Sequence, residues 1–209
     1  MSISFVDLFK TSNTHRDNFL ARVFAMFSEE PVRLWGESQD APYEYLGRPT
    51  LKRPGESRGQ TIDFALRSKQ DGRTFVAELK CELAFENYGY LVLNSCAQVQ
   101  RHVNERKEAF VRFLAMARDP TAYVVSVTGR SGHSRQIEAS GAILVWGSVT
   151  EEGRRAVMAE FGFADVLSVE RIICDLLRTE NRAYLDFVGD RERWCAELFR
   201  AMQGRETGI

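Results

Sequence analysis

The first clear pattern of hydrophobic positions runs from Thr14 to Ser28. Five apolar side chains recur there three and four residues apart, the spacing of one face of an α-helix: Phe19, Leu20, Val23, Phe24 and Phe27. Thr14 followed by Asp17 predicts a capping box at the start of this helix, and Pro31 is expected to end it. The apolar run 32–35 predicts a strand, and the polar segment 38–60, which contains several Gly and Pro residues, predicts a loop.

A strict two-residue alternation follows from Thr61 to Arg67 and again from Thr74 to Lys80. An Asp71-Gly72 turn signal separates the two runs, so together they predict a β-hairpin. Alternation places Asp63 on one face of the first strand. It places Glu78 and Lys80 together on one face of the second strand.

The rest of the chain predicts further helices and strands. A long helix is expected over 93–117, strands over 123–127 and 142–146, and helices over 150–161, 164–177 and 183–202. This order predicts an α/β fold, a mixed central sheet flanked by helices. We expect a single domain over residues 1–209, with a core of about 14–161 and a C-terminal helical elaboration of about 164–203.

Composition narrows the class of protein. The hydrophobic fraction of 44% can supply one sizeable core, and the formal net charge of -1 argues against a wholly basic nucleic-acid binder while leaving room for a local basic groove. The four cysteines form no CxxC pair and no zinc-ligand spacing. No secretory signal or membrane-spanning apolar run is visible, so the sequence predicts a reduced, cytoplasmic protein.

Asp63, Glu78 and Lys80 form the candidate chemical site. Hydrolysis of a phosphodiester needs divalent cations that neutralise charge and activate water, and hard cations such as Mg²⁺ prefer carboxylate oxygens. One carboxylate from each of two neighbouring strands can hold such an ion, and a lysine on the same face can orient water or stabilise phosphoryl oxygens. Glu78 also stands in an otherwise apolar run, where a carboxylate is costly without a partner or a metal.

Ile62-Asp63, a hairpin, then Glu78-Leu79-Lys80 and a long helix resemble the PD-(D/E)XK nuclease superfamily, which has a restriction-endonuclease-like fold. The resemblance covers roughly residues 14–148. It implies Mg²⁺ or Mn²⁺ as cofactor, bound by Asp63, Glu78 and the backbone carbonyl of Leu79, and it implies Lys80 as the catalytic lysine. The implied activity is hydrolysis of phosphodiester bonds in nucleic acid, with DNA as the expected substrate and with endonuclease and exonuclease action both open.

Other features of the superfamily match less closely. Members often carry an acid on the first helix, for which Asp17 and Glu29 are the candidates. Some members have a glutamine on the helix after the lysine strand; Gln98 fits that place, with His102 where those members tend to have tyrosine. Ile62 replaces the proline of the motif name, and Glu82 adds a carboxylate whose role stays open.

Positive charges near the motif suggest nucleic-acid contacts. Four lie in the segment before the motif strand and two more, as an Arg-His pair, on the long helix: Arg48, Lys52, Arg53, Arg58, Arg101 and His102. Each set is also compatible with an ordinary solvated surface, and a charged helix face is more often simply exposed to solvent.

Three alternatives stay open at this stage. The triad can be a solvated cross-strand charge cluster. The chain can be a catalytically inactive nuclease-fold module that binds nucleic acid or a protein partner, or an α/β protein unrelated to nucleases. A homodimer formed through the C-terminal helices or through a sheet edge is also compatible with the sequence.

Overall fold

A computed structural model describes residues 6–9, 11–80, 92–104, 108–128 and 133–204. The α-helices are α1 (Thr14–Phe27), α2 (Glu29–Glu37), α3 (Cys96–Asn104), α4 (Glu108–Arg118), α5 (Glu151–Phe161), α6 (Val169–Arg178) and α7 (Arg182–Met202). The strands are β1 (Tyr43–Lys52), β2 (Gln60–Thr61), β3 (Phe64–Ser68), β4 (Thr74–Lys80), β5 (Val92–Leu93), β6 (Val124–Thr128), β7 (Ser134–Ile137), β8 (Ala142–Trp146), β9 (Ser148–Val149) and β10 (Asp165–Ser168). Short 3-10 turns cover Val6–Phe9 and Pro120–Ala122.

The strands form one mixed eight-stranded sheet and a small parallel pair, β5 with β9. The large sheet runs β10-β8-β4-β3-β1-β6-β7, with β2 added beside β1. The β3–β4 hairpin is antiparallel, whereas β8 and β10 run parallel to β4. The expected α/β class with a mixed sheet and flanking helices is therefore confirmed.

Helices cover both faces of the sheet. Apolar residues of α3, α4 and α5 pack on one face in a core that includes Val99, Phe110 and Val157. Residues of α2, α6 and α7 pack on the other face in a second core that includes Trp35 and Ile172. We call these the α4 face and the α2 face. Among the described residues no helix combines the length and apolar character needed to cross a bilayer.

Several local predictions were confirmed. The helix expected from Thr14, the hairpin, the strand at 142–146 and the helix that Thr150 caps all form. The residues expected in one long helix belong to α3 and α4, which lie on either side of 105–107, residues outside the described part, while Leu93 belongs to a strand.

Other local predictions were wrong. Asn13, not Thr14, caps α1, since its side chain accepts a hydrogen bond from the Arg16 amide. The run 32–35 is helical, because Pro31 lies in the first turn of α2, where a proline is tolerated. The start of the predicted helix at 164–177 is the strand β10, and Ser168 caps α6. A further strand, β7, lies in the link expected between β6 and β8.

The segment 38–60, for which the Gly and Pro residues predict a loop, contains β1, which lies between β3 and β6. A β-bulge between Tyr45 and Gly47 divides this strand. Before the bulge, Tyr45 packs towards the α2-face core; after it, Leu51 belongs to the α4-face core. Because an inserted residue reverses the alternation, the bulge turns Arg48, Thr50 and Lys52 towards the α2 face.

Two glycines inside helices allow a matched test of packing. A Cβ atom on Gly153, in the first turn of α5, would lie 2.7 Å from Cα of Asn94 and closer still to the carbonyl oxygen of Leu93. We expect Gly153→Ala to lower the free energy of unfolding by about 1–3 kcal/mol, because backbone cannot easily move aside. A Cβ atom on Gly189 in α7 would meet no atom within 4 Å, so Gly189→Ala should raise the free energy of unfolding by about 0.5–1 kcal/mol. Urea denaturation of both variants checks this, and equal stabilities would contradict the close contact at Gly153.

Candidate functional site

The candidate site lies where β3 begins and β4 ends. The pairing of Phe64 with Ala77 places Asp63, one residue before β3, beside Glu78. Oδ2 of Asp63 accepts a hydrogen bond of 2.8 Å from the backbone N–H of Leu79. The hairpin therefore fixes the Asp63 carboxylate against the strand that carries Glu78. The predicted alternation is interrupted at this point, since Ile62 belongs to the α4-face core and Phe64 to the α2-face core.

Glu78 is a buried carboxylate, with 5% of its surface exposed. Its Oε1 accepts a 2.7 Å hydrogen bond from Nζ of Lys80, whose ammonium also lies 5.6 Å from the centre of the Phe110 ring on α4. Its Oε2 is buried and has no hydrogen-bond partner in the described part of the protein. A buried carboxylate oxygen without a partner is costly, so this atom is suited to an additional ligand.

Burial raises the pKa of the Glu78 carboxyl to about 7, because the low-polarity surroundings disfavour its charged form. The Lys80 ammonium opposes this shift, and the nearby charge of Asp63 adds to it. The carboxyl is thus poised to change protonation near neutral pH when no other cation is present.

Arg48 connects the site to the start of α2. Its Nη2 lies 3.6 Å from Oδ1 of Asp63 and 3.9 Å from Oε2 of Glu29. Burial raises the pKa of Glu29, and the Asp63 charge adds to that increase. Of the two acids considered for the first helix, Glu29 lies near the site, although as the first residue of α2.

Asp17, the other acid, has local partners. It accepts hydrogen bonds from the backbone N–H and the hydroxyl of Thr11 and forms an ion pair with Arg16. These contacts hold the start of α1 in place, so Asp17 is accounted for as a structural residue.

Gln98 is bonded to its own segment. Its Oε1 accepts from the backbone N–H groups of Asn94 and Ser95, and its Nε2 donates to the carbonyl of Val92. Gln98 is the third residue of α3, and these bonds tie its side chain to the backbone just before the helix, as the glutamine of a capping box does. The structure thus gives Gln98 a clear capping role, while its predicted support of the site stays a prediction.

The predicted basic residues are spread over several elements. Arg48 and Lys52 lie on β1 and not in a loop. Arg53 and Arg58 are exposed in the turn that follows, with the Arg53 guanidinium 5.9 Å from the Tyr123 ring centre. Arg101 is exposed on α3. The side chain of His102 and the whole of Glu82 lie outside the described residues.

A metal-ion set of three or more His, Cys, Asp or Glu side chains is not found in the described ranges. The oxygen ligands present are the two carboxylates of Asp63 and Glu78 and the Leu79 carbonyl, and Oε2 of Glu78 has no hydrogen-bond partner in the described part of the chain. This set fits a hard divalent cation that keeps several water ligands, as Mg²⁺ does.

Comparison of the chain with protein-family models, with curated proteins and with solved structures gives no significant match. The geometry of the site and the resemblance of its motif are therefore the basis for assigning a function.

The protonation of Glu78 predicts a pH-dependent stability. Without divalent metal, the folded protein holds this proton up to about pH 7, whereas an unshifted carboxyl releases it near 4.5. The folded state therefore binds more protons between these values, and stability is lost as pH rises through 7. We expect a loss on the order of 2–3 kcal/mol, which Glu78→Gln should largely remove.

Urea denaturation in EDTA, at several pH values between 5 and 8, measures this difference. Glu44→Gln, which alters an exposed carboxylate paired with Arg67, serves as control and should follow the wild type. Parallel pH profiles for wild type and Glu78→Gln would show that Glu78 is ionised throughout this range.

Proposed function

We propose that this protein is a metal-dependent nuclease that hydrolyses phosphodiester bonds in nucleic acid, with DNA as the expected substrate, and that its core is restriction-endonuclease-like. The observation that carries the proposal is the buried Glu78 carboxylate beside an Asp63 fixed by the Leu79 amide. One Glu78 oxygen accepts from Lys80, and the other has no partner among the residues that the structure describes. The order of elements supports it: helices, the motif hairpin, the helices α3 and α4, then β6 and β8.

The roles of the residues follow from their positions. Asp63, Glu78 and the carbonyl of Leu79 would hold Mg²⁺ or Mn²⁺. A bound cation would neutralise charge on the phosphate and make water more acidic. Lys80 carries its ammonium next to the same carboxylate, where it can donate a hydrogen bond to the attacking water or to a phosphoryl oxygen.

Two contacts around the site favour this chemistry. The Phe110 ring beside the Lys80 ammonium helps to limit its solvation, so its charge acts more strongly on nearby groups. The fixed backbone bond to Asp63 means that this carboxylate needs little reorganisation to accept a ligand.

The alternative, a nuclease-fold module that binds without cleaving, also has a supporting observation. Lys80 and Arg48 already lie beside carboxylates of the site, so part of their charge is compensated within the protein. A protein of this kind would bind nucleic acid but would show neither metal binding nor cleavage.

A cleavage assay decides between these functions. With Mg²⁺ or Mn²⁺ and plasmid DNA, we expect Asp63→Asn, Glu78→Gln and Lys80→Ala each to reduce the rate by at least about 100-fold, because each removes a metal ligand or the positioned ammonium. Arg67→Ala, at the far end of β3, is the control and should retain activity.

The same variants should be tested for Mn²⁺ binding by calorimetry. Loss of binding in Asp63→Asn and Glu78→Gln, with retention in Lys80→Ala, is expected, since only the first two change metal-ligand side chains. Cleavage that persists in all three site variants would show that the assignment is wrong, and wild-type protein that neither binds metal nor cleaves would favour the non-catalytic module.

A further inference from the structure

The strands β1, β6 and β7 carry a surface on the α2 face that is distinct from the two cores. Hydrogen-bonded registry aligns Arg48 with Thr128 and Ser134 in one row. The next row aligns Thr50 with Ser126 and Gln136, and Lys52 stands opposite Val124. We call the seven polar members the open polar face: Arg48, Thr50, Lys52, Ser126, Thr128, Ser134 and Gln136.

Burial patterns show that this face points to solvent. Along β6, Val125 and Val127 are buried, whereas Thr128 is exposed and Ser126 half-buried. Along β1, Pro49 and Leu51 are buried, whereas Arg48 is exposed. The α2-face core is built from residues of α2, α6 and α7 with β3, β4 and β8, and none of the seven polar residues is among its described members.

The turn after β1 folds against the far end of this face. A Cβ atom on Gly59 would lie 2.5 Å from Cγ2 of Thr50 and 2.6 Å from Cγ of Lys52. Nζ of Lys52 donates to the carbonyl of Ser57 in the same turn. The exposed Arg58 follows Ser57, so positive side chains stand at or beside this end of the face, and Arg48 stands at the other end.

Charge and composition indicate the kind of partner. The chain has 29 acidic and 28 basic residues, yet the strand segments 48–52, 124–128 and 134–137 contain no Asp or Glu. The face offers two cations and five hydroxyl or amide groups, which are typical ligands of phosphate oxygens. A protein partner would normally require aromatic or large apolar anchors, and Val124 is the exposed apolar side chain in these rows.

The position of Arg48 links the face to the candidate site. Its backbone belongs to the first row of the face, and its guanidinium lies 3.6 Å from Oδ1 of Asp63. Lys52 lies four positions after Arg48 on the strand, about 13 Å at ~3.3 Å per residue, which corresponds to about four base-pair steps along the axis of a B-form duplex.

We propose that the open polar face binds the sugar-phosphate backbone of the nucleic acid and leads it past Arg48 to Asp63 and Glu78. This inference rests on the proposed function for the identity of the substrate, but it concerns binding and not hydrolysis. The contacts are to phosphate, so the face contributes affinity that is independent of base sequence.

Adjacent residues of β7 provide a matched test. Gln136 belongs to the open polar face, whereas Arg135 pairs with the inward-facing Val127 and so lies on the opposite face. Gln136→Glu and Arg135→Gln both change the net charge by one negative unit. Both residues are exposed, so neither substitution should prevent folding.

Fluorescence anisotropy of the full chain in EDTA, with labelled single-stranded and duplex DNA of mixed sequence, measures the binding. We expect Gln136→Glu to weaken binding by roughly three- to tenfold and Gln136→Lys to strengthen it, with the salt dependence changing by about one phosphate contact. Arg135→Gln should bind within about twofold of wild type. The single-stranded and duplex probes show which form the face prefers.

Equal effects of Gln136→Glu and Arg135→Gln would overturn the proposal, since they would reflect net charge alone. Absence of any effect of Gln136→Glu or Gln136→Lys, or absence of wild-type binding, would also overturn it. Cleavage by wild type combined with an inert Gln136 would reject this face and leave the nuclease proposal standing. Binding that depends on Gln136 without any metal-dependent cleavage would support this face and reject the nuclease proposal.

Discussion

The organisation of the site depends on one buried carboxylate, that of Glu78. Isolated burial of a charged carboxylate is unfavourable by many kcal/mol unless partners compensate it. Here Lys80 compensates one oxygen at 2.7 Å, the Asp63 carboxylate is tied to the next backbone amide, and the second Glu78 oxygen has no hydrogen-bond partner among the described residues. The surrounding core holds this arrangement, since Val76 and Phe110 belong to the same buried cluster that flanks β4 and α4.

The bulge in β1 is the second determinant, because it decides which side chains reach the site. Gly47 has a φ of 126°, and a Cβ atom there would lie 2.6 Å from the carbonyl oxygen of Thr128, so the close approach of β1 and β6 requires a glycine. Without the reversal of facing at this point, Arg48 would point into the α4 face and Leu51 into the opposite side. One glycine and one extra residue thus convert a strand that first supports a core into one that presents cations.

The sequence predicted the hairpin and its three polar residues well, since strict alternation and an Asp-Gly turn are local signals. It did not predict β1, because Gly47, Pro49, Pro54 and Gly55 are residues that usually mark loops. A strand between two others tolerates Pro49 here beside the bulge, with the proline carbonyl accepting a hydrogen bond from Ile62. β10 was missed for a different reason: four residues that lead directly into a capped helix carry too short a pattern to separate from it.

Local sequence patterns could not predict the contacts between distant segments. Glu29 and Arg48 meet at the site only because α2 packs against the strand that the bulge redirects, and no spacing in the sequence encodes that meeting. Gln98 likewise lies on the helix after the lysine strand, as expected, but its side-chain amide forms hydrogen bonds with the backbone just before α3. Its position along the helix is a local property, whereas the partners of its amide depend on how β5 enters the helix.

The net charge of the cluster determines which ligand it attracts. Three carboxylates, Glu29, Asp63 and Glu78, lie close to two cations, Arg48 and Lys80, so the fully ionised cluster carries one excess negative charge. Burial raises the pKa values of Glu78 and Glu29, and the charge of Asp63 adds to both increases, so full ionisation of the three acids is unfavourable in the protein alone. A divalent cation added to the cluster would change its net charge from minus one to plus one, which keeps the acids ionised and makes the same place attractive to a phosphate. In the proposed function, burial of the acids would therefore link metal binding to substrate binding, because a cation that offsets the charge of the carboxylates would also supply the positive potential that a phosphodiester requires.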